Sequence, residues 1–225
     1  MRDTARLAYY AASSRQLPIS YARSLVPALL LGFLFPTIVI YLPFNDSGLV
    51  IKQGLVAFWQ PTPLFVNLVL HLLPYFFGAS STPAASTTTK SDADADTAYV
   101  KWLYGICFIT SAATHLGLIL LRLIDPKLSL IRVFVPQTEL LPDSAAETLH
   151  FIFQWDCLLI FAASMLWACV AVYDLRVVGR ADVSLAKLGF AVIVGSFMLG
   201  PAATIVGAFW WREDKLRQEV RPKAS

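Results

Sequence analysis

Long apolar segments separated by shorter polar ones make up most of this chain. Five of them reach the roughly 20 residues that a helix needs to cross a bilayer. They extend over about Leu25–Leu42, Leu55–Phe77, Tyr99–Ile124, Leu149–Tyr173 and Leu185–Trp211. The pattern predicts an all-α fold, an integral membrane helical bundle with about five transmembrane helices.

The remaining segments predict one transmembrane bundle over residues 25–211, preceded by a polar, basic segment (1–24) and followed by a charged tail (212–225). Residues 78–98 are a low-complexity Ser/Thr/Ala sequence that contains DADAD, a composition too polar to build a core. We expect a disordered, solvated acidic loop there rather than a metal-binding loop. Residues 125–148 contain the apolar run LIRVFV, which predicts an interfacial or a re-entrant segment.

Three predicted spans carry a stripe of polar side chains on one face. Because each helical residue advances by about 100°, the members of a stripe fall within about 40–60° of one another. The stripes consist of Gln60, Asn67 and His71 on the second span, Tyr104, Ser111, His115 and Arg122 on the third, and Glu147, His150 and Gln154 on the fourth. Polar groups are costly against lipid, so we expect the stripes to face one another and to line an interior chamber.

Several of these residues also have a purely structural interpretation. His71 and His115 can be core histidines that bond to a neighbouring helix, and Arg122 can extend its side chain to the headgroups. Glu147 lies near a helix start, where the helix dipole favours an acid. His71 lies at a different depth from His115 and His150, so the three histidines do not predict a metal site.

Asp156 lies about two turns into the fourth span, on the side of the helix opposite to the stripe. Neither capping nor an extended side chain accounts for it, which leaves an interhelical bond or a functional role. A carboxylic acid among apolar groups keeps its proton near neutral pH and can donate it to an epoxide oxygen. Aromatic rings would then stabilise the carbocation, and a neutral histidine or a carboxylate would remove the final proton.

Composition supports a membrane protein. Hydrophobic residues make up 57% of the chain and charged residues 15%, against about 25% charged residues in a typical soluble domain. The formal net charge is only +3, and the basic residues lie in loops and tails. We therefore expect no nucleic-acid partner. Cys107, Cys157 and Cys169 show no metal-ligand spacing, and we expect neither a metal nor another cofactor.

Basic residues do not decide the orientation of the five spans, because nine Lys and Arg residues fall on each side. Residues 1–23 lack the apolar region of a cleavable signal peptide. We expect the first span to act as an uncleaved anchor in the endoplasmic reticulum, with a mitochondrial membrane as the alternative.

Three stretches carry a family resemblance: LVPALLLGFLFPT (Leu25–Thr37), FWQPTPLFVNL (Phe58–Leu68) and FQWD (Phe153–Asp156). Together they resemble the membrane-bound terpene cyclases of fungal meroterpenoid clusters, of the ascofuranone and macrophorin type. The resemblance implies a multi-helix bundle, no metal, and acid-initiated cyclisation of a farnesylated phenol that carries an epoxide. It makes Asp156 the candidate acid.

The sequence thus predicts a membrane-bound terpene cyclase whose hydrophobic, prenylated substrate enters from the lipid bilayer. The predicted catalytic residues are Asp156, Glu147 and His150. The predicted substrate-binding residues are Trp59, Asn67, His71, His115, Gln154, Trp155 and Trp167. A small multi-span transporter or a non-catalytic membrane partner in a secondary-metabolite pathway is the alternative, since either would also place polar residues inside a bundle.

Overall fold

Every secondary-structure element is a helix within the residues that the computed structural model describes, which are 17–42, 48–76, 90–136 and 145–217. The helices are α1 (Ile19–Ile40, with a π-helical turn at Leu30–Leu34), α2 (Gly48–Trp59), α3 (Thr62–Phe76), α4 (Lys90–Ile124), α5 (Leu130–Phe134), α6 (Ala145–Val177), α7 (Leu185–Leu199) and α8 (Pro201–Arg217). The predicted all-α fold is confirmed.

Three helices are long and apolar enough to cross a membrane. They are α1, α4 from Asp96 to Ile124, and α6 from His150 to Val177. The bent pair formed by α2 and α3 makes a fourth crossing if its two halves count as one span. The chain is therefore an all-α membrane bundle with three to four candidate spans among the described residues, and the predicted count of five is not confirmed.

The described residues form two compact units, the first of which comprises Arg15–Leu103. In this unit α1 packs along α3, and the C-terminal part of α1 contacts α2. Trp59, the last residue of α2, donates its indole N–H to Thr37 Oγ1 of α1 at 2.9 Å. The Thr37 hydroxyl in turn donates to the Phe33 carbonyl at 2.7 Å. These bonds join α2 to α1 next to the π-helical turn.

Pro61 and Pro63 interrupt the second predicted span. A proline has no N–H to donate and collides with the carbonyl four residues earlier, so a helix cannot continue straight through it. α2 accordingly ends at Trp59, and α3 starts at Thr62 after a bend of 57°. The interior prolines thus mark a break in the segment that the sequence analysis treats as one span.

The start of α4 corrects the expected loop over residues 78–98. The helix begins at Lys90, so the last nine residues of that predicted loop are helical; residues 77–89 lie outside the described part of the chain. The Asp96 side chain is fully buried, and its carboxylate accepts the Leu17 backbone N–H at 2.9 Å. A buried carboxylate that bonds to backbone is a structural acid, so at Asp96 the expectation of a solvated acidic loop is wrong.

The second unit contains the residues from Tyr104 onward. In it α8 packs against both α6 and α7. Val172 of α6 forms a buried core with Leu188 and Val192 of α7, and Ala208 of α8 packs against this core. The short helix α5 starts at an N-cap, where the Ser129 hydroxyl accepts the Arg132 N–H at 3.2 Å. α5 covers most of the LIRVFV run, for which the sequence predicts either an interfacial or a re-entrant segment.

The fifth predicted span (185–211) is wrong as a single crossing, because it folds into a helical hairpin. α7 ends at Gly200, whose φ of +90° reverses the chain, and Pro201 starts α8. A Cβ placed on Gly195 would lie 2.9 Å from Thr204 Oγ1, so the two helices are in contact on either side of the turn. A 15-residue helix spans about 22 Å, which is less than the ~30 Å hydrocarbon core.

Candidate functional site

The site is built around the short helix α5, whose backbone carbonyls face polar side chains of α6. The last carbonyls of any helix lack partners within that helix. The Gln154 amide N–H group donates to the Arg132 carbonyl and lies 3.3 Å from the Val135 carbonyl and 3.5 Å from that of Val133. His150 Nε2 donates to the same Arg132 carbonyl at 3.2 Å. Two residues of the predicted stripe therefore attach α5 to α6.

Gln154 holds the deepest position in this arrangement, since its side chain is only 8% exposed. A buried amide must be satisfied by hydrogen bonds, and an unmet one costs about 1–3 kcal/mol. Its contacts with the end of α5 meet that need. Gln154 therefore positions α5 in the structure, and its predicted contact with substrate stays a prediction.

His115 of α4 joins the same cluster from the other side. Its ring centroid lies 5.6 Å from that of Phe134, the last residue of α5. Its Nε2 donates to the Phe197 carbonyl, near the tip of the α7–α8 hairpin, at 3.1 Å. A Cβ on Gly200 would lie 2.8 Å from the imidazole, so the hairpin turn fits against the ring only because residue 200 is glycine.

These hydrogen bonds define which nitrogen of each ring carries hydrogen. A backbone carbonyl only accepts, so Nε2 is the donor in both His115 and His150. When such a ring is neutral, its free lone pair is on Nδ1. In both histidines Nε2 therefore fixes the orientation of the ring, and in a neutral ring Nδ1 is the basic nitrogen; that of His115 lies against the Gly200 turn.

The structure thus brings together His115, His150 and Gln154 from the third and fourth stripes. We refer to His115, His150, Gln154 and Phe134 together as the α5 cluster. The side chain of Glu147 lies outside the described residues. Tyr104 lies elsewhere on α4, with its ring 6.5 Å from that of Trp210 and stacked on it.

Asp156 points away from the α5 cluster. Its side chain is exposed, and within the described part of the chain it has no hydrogen bond or ion pair. The two predicted aromatic contacts on α6 pair with other rings: Trp155 lies 6.5 Å from Phe151 and Trp167 lies 4.7 Å from Phe209. Trp167 is 65% exposed. The exposed Asp156 thus contrasts with the buried Gln154 of the stripe, and the predicted role of Asp156 stays a prediction.

The predicted site residues of the second span lie in the first unit. Asn67 and His71 are exposed and bond to their own helix, Asn67 to the Pro63 carbonyl at 2.9 Å and His71 Nδ1 to the Asn67 carbonyl at 2.8 Å. Trp59 uses its N–H for Thr37, and Gln60 is exposed. The chamber that would join these residues to those of the other two stripes stays a prediction.

Sequence reasoning missed the residues that complete the α5 cluster. The partners of Gln154 and His150 are backbone carbonyls, which no side-chain pattern reveals. Phe134 and Gly200 carry only weak signals: an apolar run bounded by prolines, and a Gly-Pro pair inside an apolar segment. Among the described residues there is no group of three His, Cys, Asp or Glu side chains that could hold a metal ion.

Comparisons with known proteins identify the family of this chain. A family model described as the CtvD domain matches residues 4–217. The terpene cyclase sdgD of Emericella nidulans is 30% identical over 172 residues, which are 74% of this chain and 44% of that protein. The terpene cyclase ascI of Acremonium egyptiacum is 24% identical over 196 residues, 83% of this chain and 49% of that protein.

A third relative has a different name. The FAD-dependent monooxygenase verC1 of Penicillium polonicum is 24% identical over 212 residues, which are 91% of this chain and 24% of that protein. The chain thus spans less than half of the length of each of these three relatives. No solved structure matches the chain.

Proposed function

The chain belongs to the CtvD-domain family, and on that premise we propose that it is a membrane-bound terpene cyclase. Two relatives that are named terpene cyclases support the proposal. The proposed substrate is a farnesylated phenol with an epoxide, which reaches the protein from the lipid bilayer. We place the protein in the endoplasmic reticulum membrane. The observation that carries the proposal is the family match over residues 4–217.

The proposed reaction begins with an acid. The Asp156 carboxyl group donates a proton to the epoxide oxygen, a C–O bond breaks, and a tertiary carbocation forms. A carbon–carbon double bond of the chain then attacks the cation and closes a ring. The exposed rings of Trp155 and Trp167 on α6 supply faces that stabilise positive charge.

The final step needs a base. Loss of a proton from the last cation restores neutrality, so the product is an isomer of the substrate. His150 is suited to this role because its ring is held through Nε2 and leaves Nδ1 to accept.

A microsomal assay tests this function. The full chain is expressed in a host without the pathway, supplied with an epoxyfarnesyl phenol, and examined for a product of unchanged mass with a new ring. Asp156→Asn is run beside it, with Asp182→Asn as the matched control, since Asp182 is an exposed acid in the α6–α7 connection. Membrane abundance of all three proteins is measured.

The expected result is an isomer from the wild type and from Asp182→Asn, and none from Asp156→Asn at equal abundance. An isomer formed equally by Asp156→Asn would refute Asp156 as the acid. If no isomer forms from any well-expressed protein, the cyclase proposal fails, and transport or assembly of other pathway proteins becomes the better explanation of the polar stripes.

A further inference from the structure

A cavity of about 290 Å³ lies between α6 and the α7–α8 hairpin. Its lining includes Val172 of α6, Leu188 and Val192 of α7, and Ala208 of α8, which are apolar. Small-molecule sites are typically apolar cavities of about 300–1,000 Å³ with a few well-placed polar groups. The volume is just below this range and suits one hydrocarbon chain.

Lys187 and Trp211 line the same cavity and place its opening near the membrane surface. Lys187 lies in the first turn of α7, and Trp211 directly precedes the charged end of α8. Tryptophan and lysine both concentrate where the hydrocarbon core meets the headgroups. An apolar chain inside this cavity would therefore have its polar end at headgroup depth.

The charges at this end of the unit favour a negative partner. The Lys187 side chain is exposed and forms no hydrogen bond or ion pair within the described residues. A second ammonium group is close by, because Lys215 Nζ lies 5.9 Å from the centre of the Trp211 ring. The nearby acid Glu213 is already bonded to Arg217 at 2.8 Å. Two further acids lie at this end of the unit, Asp182 in the connection before α7 and Asp214 on α8, against Lys187, Lys215, Arg212 and Arg217.

We propose that this cavity binds one anionic phospholipid, with an acyl chain inside it and the phosphate beside Lys187. Basic pockets between transmembrane helices are a recurrent way to recognise acidic headgroups. A zwitterionic lipid would fill the apolar part equally well, but its own positive group would oppose the Lys187 ammonium group. The proposal does not depend on the cyclase reaction.

Tryptophan fluorescence provides the test, because bromine atoms on an acyl chain quench a tryptophan that they touch. The full chain in detergent is titrated with phosphatidylserine or phosphatidylcholine, each brominated on its acyl chains. Trp211→Phe identifies the share of quenching that belongs to Trp211. Lys187→Gln removes the cation, and Lys52→Gln is the matched control, since Lys52 is an exposed lysine on α2 in the other unit.

We expect phosphatidylserine to quench Trp211 at lower concentration than phosphatidylcholine. Lys187→Gln should reduce that preference about fivefold, the factor for ~1 kcal/mol per basic residue near an acidic surface. Lys52→Gln should leave it unchanged. A second variant, Ala191→Phe, narrows the cavity at an exposed lining position and should abolish quenching of Trp211 by both lipids while the protein remains monodisperse.

Equal quenching by the two lipids, or equal effects of Lys187→Gln and Lys52→Gln, would overturn the proposal. Undiminished quenching in Ala191→Phe would place the lipid outside the cavity and would also overturn it. Inorganic phosphate is added as a competitor; if it displaces phosphatidylserine at similar concentration, the site recognises a free anion and the lipid assignment is wrong.

Discussion

Replacing His115 by phenylalanine tests whether this histidine holds the α7–α8 hairpin in place. His115 Nε2 donates to the Phe197 carbonyl at 3.1 Å. The helical donor for that carbonyl would be the N–H of residue 201, which is a proline and has none. His115→Phe keeps an aromatic ring beside Phe134 but leaves the carbonyl of Phe197 without this partner.

Two known energies set the size of the expected loss of stability. A carbonyl left without a partner away from water costs about 1–3 kcal/mol, while side-chain hydrogen bonds between membrane helices contribute about 0.6 kcal/mol on average and at most about 1.7. We expect His115→Phe to lower the free energy of unfolding by about 1–2 kcal/mol. His115→Gln retains an N–H donor of similar reach and should recover part of the loss.

Equilibrium unfolding in mixed detergent micelles measures the effect, and His71→Phe is the matched control. His71 makes the same kind of bond, at 2.8 Å to the Asn67 carbonyl, but that carbonyl lies within its own helix and the side chain is exposed. His71→Phe should change the free energy of unfolding by less than about 0.5 kcal/mol. Equal losses in the two variants, or no loss in His115→Phe, would refute the role of His115 as an anchor.

Three further substitutions test the packing. Gly200→Ala should cost more than about 2 kcal/mol in the same unfolding assay, because φ is +90° and the new Cβ would lie 2.8 Å from His115; a loss below 1 kcal/mol would contradict the turn geometry. Gly32→Ala should cost about 1–3 kcal/mol, since its Cβ would lie 2.7 Å from the Val66 backbone; unchanged stability would show that α1 and α3 are less close. Gln154→Leu should speed amide hydrogen exchange in α5, because it removes the donor to the Arg132 carbonyl; equal exchange in wild type and variant would show that Gln154 does not hold α5.

The local sequence predicted which segments are helical better than it predicted how those helices are arranged in space. Apolar length predicted α1, α4 and α6 as candidate spans, because a membrane requires long apolar helices. The same reasoning gave one span over residues 185–211, where the structure has a hairpin. Apolar length cannot distinguish a crossing from a reversal, which depends on the φ of Gly200 and on the His115 ring against it.

The candidate site likewise has features that the sequence predicted and features that it did not. Helical periodicity put His150 and Gln154 on one face and Asp156 on the opposite face. In the structure His150 and Gln154 bond to the same carbonyl, and Asp156 is exposed. The sequence did not predict which groups contact these helix faces. Gln154 and His150 bond to the backbone of α5. Every residue has a backbone carbonyl, so no residue type in the sequence indicates such a partner.

Sequence by itself therefore determined that this protein is an all-α membrane bundle with polar stripes on particular faces, since hydrophobicity and helical periodicity are local properties of the chain. Only the tertiary structure decided that the last apolar segment turns back at Gly200, that Asp96 is buried, and that His115 anchors the hairpin. Each of these depends on which backbone groups of distant segments come within hydrogen-bond distance, and that is a property of the packed molecule.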